Sequence, residues 1–171
     1  MITYSLFKKI EKYAKAHSES SRENYLQRNT NTSNIFENCL RGKLAEYSCY
    51  FSMYRAGYIL QSEPDLKIYE PSEKSYDADL VCIGKHKEIY DAPRLIHVKA
   101  IGVKTFAKFG ASFLVEKNDP LVFNPQPNNF ISVMLQEDLI NYRFYKWLDA
   151  QKIQWGLPKN NNLTSKLAWY E

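Results

Sequence analysis

The sequence lacks several patterns that mark large classes of protein. Its 171 residues include only three cysteines, Cys39, Cys49 and Cys82, whose spacing fits neither a disulfide framework nor a zinc knuckle. There is no GxxxxGK[ST] loop and no GxSxG elbow, so neither a nucleotide cofactor bound by a P-loop nor a serine hydrolase of that type is indicated. His17 and His86 have no partner at metal-ligand spacing, which argues against zinc.

Long apolar segments are also missing. Residues 1–9 have no apolar run of the kind that a signal peptide carries, and no later stretch is long enough to span a bilayer. We expect the thiols to be reduced and the protein to be cytoplasmic, without membrane attachment. No internal repeat or linker is visible in the sequence.

Composition places the chain among folded globular proteins. Hydrophobic residues make up 44% and charged residues 25% of the chain, which predicts one domain with a substantial core. The formal net charge of +4 fits a polyanionic partner, because Lys and Arg displace counterions from phosphates. Charge alone is a weak signal, since many basic proteins never touch nucleic acid.

Apolar residues at helical spacing mark two segments. One amphipathic helix is predicted near the start, and a longer one follows across residues 36–54, capped by Ser33 or Asn34 and stopped by Gly57. Residues 18–34 between them are rich in Ser, Asn, Thr and Arg, which favours a loop or an exposed helix-loop region. The apolar stripe of the longer helix consists of Phe36, Leu40, Leu44, Tyr47, Phe51 and Tyr54.

Short β-type runs follow the second helix. Six of them are predicted to be strands, and together they indicate an α/β fold with a mixed central sheet flanked by helices. Residues 137–150 favour a helix, with a strand as the alternative because of their many aromatic residues, and residues 167–170 are predicted to be an edge strand. The six runs are residues 58–60, 66–69, 80–83, 95–99, 113–115 and 130–135.

A few polar residues in three separate segments form the pattern that carries chemistry. Asp79 precedes an apolar run, and one hairpin later His97 and Lys99 alternate with apolar neighbours. Alternate residues of a strand point to the same face, so His97 and Lys99 project together, as do Asp77 and Asp79. A half-exposed strand alternates in the same way. The order of the segments favours a functional site over a merely half-exposed strand, because Glu46 lies on the predicted helix that precedes the sheet.

These segments resemble the PD-(D/E)XK nuclease superfamily, which includes many restriction enzymes and Holliday-junction resolvases. Gly42-x-x-Ala45-Glu46 is similar to the first core helix of that family. Residues 76–81 (YDADLV) resemble its acidic strand, and residues 96–99 (IHVK) resemble the strand usually written I-E-V-K. The resemblance runs from about residue 41 to residue 135 and implies a restriction-endonuclease-like fold.

The resemblance also implies an activity. The chain would be a single nuclease-like domain, with a catalytic core (34–135) between an N-terminal extension (1–33) and a C-terminal elaboration (136–171). It would be a metal-dependent DNA endonuclease of restriction, homing or phage-defence type, with Mg²⁺ or Mn²⁺ as cofactor. Two chains would pair to cut both strands of a symmetric site, so a homodimer is expected.

The roles of the site residues follow from the same resemblance. Asp79 would hold the metal, Glu46 would hold it directly or through a water, and Asp77 is either a further ligand or the rival of Asp79. Lys99 would lie beside the attacking water and offset charge on the phosphate. His97 departs from the family, which usually has an acid there. It could orient or deprotonate the water, favour Mn²⁺ over Mg²⁺, or mark an inactive site.

Basic residues outside this pattern are candidates for DNA contacts. Arg143 and Lys146 are interleaved with aromatic residues, and these two with Lys104 and Lys108 are predicted to bind DNA. Two rival interpretations remain open. One is a catalytically inert DNA-binding module on a nuclease-like scaffold, and the other is a structural or protein-interaction domain whose acids are surface groups.

Overall fold

The computed structural model of the protein describes residues 2–20, 32–69, 78–110, 113–116, 121, 124–158 and 165–169. The helices in these ranges are α1 (Tyr4–Ser20), α2 (Thr32–Arg55) and α3 (Val103–Phe109). The strands are β1 (Tyr58–Leu60), β2 (Leu80–Lys85), β3 (Glu88–Gly102), β4 (Phe113–Glu116), β5 (Asn129–Gln136), β6 (Tyr142–Asp149), β7 (Gln154–Pro158) and β8 (Ser165–Trp169). A single 3₁₀ turn, Ala150–Lys152, follows β6.

Five strands form a mixed central sheet in the order β1-β2-β3-β5-β6. β3 and β5 run parallel, and the other neighbouring pairs are antiparallel. The connection between the parallel strands carries α3 and β4, as a parallel pair requires a long crossover. The predicted α/β class with a mixed central sheet and flanking helices is therefore confirmed. A second sheet has the order β4-β8-β7.

The two faces of the central sheet carry separate cores. On one face, which we call the α2 face, Ile96 of β3 and Met134 of β5 pack in one buried cluster with Cys49 of α2. On the opposite face, the α3 face, Val133 of β5 belongs to a cluster that Phe106 of α3 covers. Successive residues of a strand point to opposite faces, so the position of any strand residue along this alternation decides which core it joins.

The first helix, α1, packs against α2. Ile10 and Ala14 of α1 are fully buried against Leu44 and Tyr47 of α2. The predicted amphipathic helix near the start is therefore confirmed. None of the helices in the described ranges combines the length and the apolarity needed to cross a bilayer.

The central sheet curls around the second half of α2. Tyr58 of β1 and Trp147 of β6 lie at opposite edges of the sheet with three strands between them, yet their ring centroids are only 5.1 Å apart. A flat sheet would separate these edges by roughly 19 Å, at about 4.8 Å per strand. Both rings pack against the buried cluster on the α2 face.

The predicted end of α2 is confirmed, but its predicted start is not. Gly57 follows the last turn with φ of 81°, a left-handed conformation that other residues rarely adopt. The helix already begins at Thr32, so Ser33 and Asn34 lie inside its first turn instead of capping it. Tyr54, the last residue of the predicted apolar stripe, is 66% exposed, whereas the adjacent Met53 is 3% exposed and packs in the α2-face cluster.

The strand predicted for residues 66–69 is wrong. The segment pairs with no strand in the part of the chain that the structure describes, and the Asp65 carboxylate accepts hydrogen bonds from the Lys67 backbone N–H at 2.7 Å and from the Tyr69 hydroxyl. Such local side-chain bonds compete with the ladder of a sheet. β-branched and aromatic composition alone therefore overestimated strand formation here.

The helix favoured for residues 137–150 is also wrong, and its alternative is right. The Asp138 carboxylate accepts backbone hydrogen bonds from Ile140 and Asn141 at 2.9 Å each, which closes a turn, and β6 then pairs antiparallel with β5. A register shift opposite Val133 and Met134 breaks the alternation of β6, so its sequence does not show a clean strand period.

The final predicted strand exists, but it is not an edge. β8 lies between β4 and β7 in the second sheet. Its sequence shows only that it can pair, and whether one or two neighbours cover it depends on β4, which lies about fifty residues earlier in the chain. The predicted edge position of residues 167–170 is therefore wrong.

Candidate active site

Glu46 lies on the side of α2 that faces the sheet. It is only 8% exposed, and its Oε2 accepts from the Lys43 ammonium at 2.7 Å. The Lys43 side chain is itself 17% exposed and lies 5.5 Å from the centroid of the Tyr13 ring of α1. α1 therefore closes over this ion pair and reduces its contact with water.

The charge on Glu46 is strongly affected by its surroundings. Burial and the nearby Asp79 carboxylate raise the pKa of Glu46 to about 8, although Lys43 and Lys99 oppose the rise. Burial by itself lowers the pKa of Lys43, but its attraction to Glu46 and its hydrogen bond with Glu46 leave that pKa raised. Residues from α2, from the start of β2 and from β3 thus act on a single carboxyl group.

Asp79 lies where the central sheet opens. The β2 ladder begins with Leu80 opposite Ile96, while β3 continues to Gly102. Past this point the Asp79 Oδ2 accepts the Val98 backbone N–H at 2.7 Å, in the place that a further residue of β2 would otherwise take. We call this opening the notch, defined by Asp79 and the end of β3 from Val98 to Gly102.

His97 and Lys99 lie on the α3 face of the sheet. In the parallel pair, His97 is opposite Ile131 and Lys99 is opposite Val133, both of which belong to the α3-face core. Both polar side chains are half-buried. Glu46 approaches from the other face, and the Lys99 charge nevertheless lowers the pKa of Glu46.

Asp79 and Lys99 therefore lie within electrostatic range of Glu46, although the three residues come from separate segments of the sequence. His97 shares a face with Lys99, while Asp77 lies outside the described residues. Among the residues that the structure describes, no three or more His, Cys, Asp or Glu side chains form a group that could hold a metal ion. The metal-ligand roles of Glu46, Asp79 and Asp77 stay predictions.

No protein-family model, curated protein or solved structure matches the chain. The geometry of the notch is therefore the basis for any functional inference. The resemblance of three short motifs to the PD-(D/E)XK nucleases adds to that geometry but does not replace it.

One residue that matters in this site was not singled out from the sequence. Lys43 holds the Glu46 carboxylate, and the signal was its position three residues earlier on the same helix, where side chains are neighbours. Burial of this pair could not be predicted from the local sequence, because it depends on α1. A second buried polar contact, Cys49 Sγ to Ser132 Oγ at 3.2 Å, lies on the α2 face and satisfies two groups that would otherwise be unpaired.

The four residues predicted to bind DNA occupy two neighbouring elements. Lys104 and Lys108 lie on α3, and Arg143 and Lys146 lie on β6. Arg143 forms an exposed ion pair of 3.3 Å with Glu137. Arg143 and Lys146 are opposite Leu135 and Val133 in the antiparallel ladder. Their predicted contact with DNA stays a prediction.

Proposed function

We propose that the chain is a metal-dependent DNA endonuclease on a restriction-endonuclease-like scaffold. The observation that carries this proposal is that Asp79 and Lys99 both act on the buried Glu46 carboxyl group at the notch, where β3 extends past the start of β2. Two acids from a helix and a strand start, beside a lysine of the next strand, are the arrangement that the resemblance implies.

The carboxyl groups of Glu46 and Asp79 are two of the ligands that a hard divalent ion would need. Carboxylate oxygens are the ligands that Mg²⁺ prefers, and Mn²⁺ accepts them too. The Asp79 charge raises the pKa of Glu46, and a cation between the two would relieve that repulsion. Glu46 and Asp79 would hold the ion, with Asp77 as a further candidate. When bound, the ion would polarise the scissile phosphate and make its attacking water more acidic.

The remaining side chains have roles that need no metal geometry. The Lys99 ammonium would stabilise negative charge that develops on the phosphate oxygens during attack. His97, on the same face, would accept a proton from the attacking water or hydrogen-bond to it. Lys43 would hold the Glu46 carboxylate in position when no ion is present.

A plasmid assay tests the proposal. Supercoiled DNA incubated with the protein and Mg²⁺, then Mn²⁺, should become nicked or linear. Asp79→Asn should lower the rate at least about 100-fold, because it removes a ligand charge. Asp91→Asn is the matched control, since Asp91 is an exposed carboxylate of β3 outside the notch, and it should retain the full rate.

The rival interpretations predict other results. DNA binding without nicking under either ion would select the inert binding module. Asp79 also has an evident structural role, since it caps the Val98 N–H. If the protein neither binds nor nicks DNA, and Asp79→Ala loses stability, the purely structural domain would be favoured. Linear product formed without a nicked intermediate would support the homodimer.

A further inference from the structure

α3 and β6 meet on the α3 face through one pair of aromatic rings. The rings of Phe106 and Tyr145 meet edge to face with centroids 4.7 Å apart, which holds the helix beside the strand. Phe109 follows three residues after Phe106, so it lies on the same side of α3. The α3–β6 surface is defined by Lys104, Lys108, Phe109, Arg143, Tyr145 and Lys146.

Aromatic rings and ammonium groups are interleaved on this surface. The Lys108 Nζ lies 4.9 Å from the centroid of the Phe109 ring, and the Lys146 Nζ lies 5.6 Å from that of Tyr145. Phe109 is 41% exposed and Tyr145 is 42% exposed. Large rings left partly in water among cations match the composition of surfaces that stack bases and neutralise phosphates.

The surface also connects with the notch. Lys99 is opposite Val133 in one ladder, and Val133 is opposite Lys146 in the next. The three residues therefore form one row across the α3 face, and Lys146 lies two strand spacings, roughly 10 Å, from Lys99. A nucleic acid chain held on the α3–β6 surface would pass within a few nucleotides of Lys99.

We propose that the α3–β6 surface binds unpaired nucleotides of DNA, with bases stacked on Tyr145 and Phe109 and phosphates held by the surrounding cations. The inference rests on the proposed function, because it assigns a substrate class to the same site. In an intact duplex the base faces are already stacked, so exposed rings gain contact only from frayed, flapped or single-stranded segments. The exposed Arg143–Glu137 pair stabilises the fold little, so a phosphate can replace Glu137.

β6 offers a matched control for this proposal. Phe144 and Tyr145 are adjacent and are 43% and 42% exposed, but they face opposite sides of the sheet. Phe144 is opposite Met134 and contacts Trp147, both of which belong to the α2-face cluster. Tyr145→Leu and Phe144→Leu therefore remove equally exposed rings from the two faces.

The experiment measures fluorescence anisotropy of a labelled DNA single strand and of its duplex, with the full chain in EDTA so that nothing is cut. We expect Tyr145→Leu to weaken single-strand binding roughly 5- to 100-fold and to change duplex binding little. Phe144→Leu should change neither, and Tyr145→Phe, which keeps the ring, should bind like the natural protein. Lys104→Gln should weaken both complexes alike and reduce their salt dependence.

Three results would overturn the inference. They are unchanged single-strand binding by Tyr145→Leu in a folded variant, an equal loss for single strand and duplex, or the same loss in Phe144→Leu. Plasmid nicking separates this inference from the proposed function. If the protein nicks plasmid but Tyr145→Leu binds single strands normally, only the proposed role of the α3–β6 surface is refuted. If single-strand binding depends on Tyr145 but the protein does not nick plasmid, only the proposed nuclease activity is refuted.

Discussion

Replacing Glu46 by glutamine removes a buried carboxyl group whose ionisation depends on Lys43 and Asp79. The pKa of this group is raised from 4.5 to about 8 by burial and by the Asp79 charge. In the unfolded chain no such environment exists, and the group ionises at its ordinary value. Folding at neutral pH therefore takes up a proton at Glu46, and stability depends on pH.

The sign and size of this dependence follow from the two pKa values. A group whose pKa is higher in the folded state contributes its full stability below the unfolded value, and loses that contribution as pH rises to the folded value. The window therefore runs from pH 4.5 to about pH 8. A rise of this size corresponds to at most roughly 5 kcal/mol, at about 1.4 kcal/mol for each pKa unit. Glu46→Gln, which does not titrate, lacks this loss.

Urea unfolding of the natural protein and of Glu46→Gln across this window measures the effect. The free energy of unfolding of the natural protein should fall relative to the variant by several kcal/mol as pH rises. The variant also loses the ion pair with Lys43, so the slope against pH is the test and the absolute offset is not. Glu37→Gln is the matched control, because Glu37 lies on the same helix with its side chain 58% exposed.

The result that refutes this reasoning is a constant difference between the natural protein and Glu46→Gln across the window. It would mean that Glu46 ionises like an ordinary surface carboxyl. In that case neither its burial beneath α1 nor its proximity to Asp79 would describe the protein in solution. If the free energy of unfolding of the natural protein fell with pH relative to Glu37→Gln by an equal amount, the effect would belong to carboxyl groups on the helix surface and not to the burial of Glu46.

Three further predictions follow from the same region. Asp79→Ala should lower the free energy of unfolding by about 1–3 kcal/mol, because it leaves the Val98 backbone N–H without its acceptor. Asp79→Asn keeps an acceptor oxygen, so it should lower the free energy of unfolding by less than about 1 kcal/mol. Lys43→Met removes a cation that lowers the pKa of Glu46, so Mn²⁺ titrations should show that the ion binds at higher pH in this variant. An unchanged pH dependence would contradict the interaction between Lys43 and Glu46. Gly57→Ala should destabilise the protein by about 1 kcal/mol or more, because the φ of Gly57 is 81° and a Cβ there would lie 2.4 Å from a histidine ring. Gly42→Ala should stabilise the protein by about 0.5–1 kcal/mol, because a Cβ at Gly42 would have no atom within 4 Å. Urea unfolding measures both effects.

The parts of the fold that depend on one period could be predicted from the sequence. α1 and most of α2 follow from apolar spacing, and the turn of α2 into β1 follows from Gly57. The proximity of Glu46 and Asp79 could also be predicted, because a helix that precedes a sheet packs on that sheet, and Asp79 directly precedes its second strand.

What could not be predicted depends on partners distant in sequence. β6 has a shifted register opposite Val133 and Met134, so its side chains follow neither a helical nor a strict strand period. The segment after Asp65 has the composition of a strand, but its hydrogen bonds are made by that one carboxylate instead of by a neighbouring strand. Burial of Lys43 depends on Tyr13 of α1, thirty residues away, and no local pattern contains it.

The notch links the stability of the sheet to the chemistry that we propose. β3 extends beyond its neighbour, so the Val98 N–H needs an acceptor, and Asp79 supplies one carboxylate oxygen for it. That bond fixes the direction of the carboxylate and leaves its other oxygen for Glu46, Lys99 or an ion. If β2 began earlier, with a residue opposite Val98, its backbone would supply the acceptor for the Val98 N–H and the Asp79 carboxylate would not be needed there. The position of the acidic group is therefore set by an unpaired backbone donor, and this applies whether the acid binds a metal or only completes the sheet.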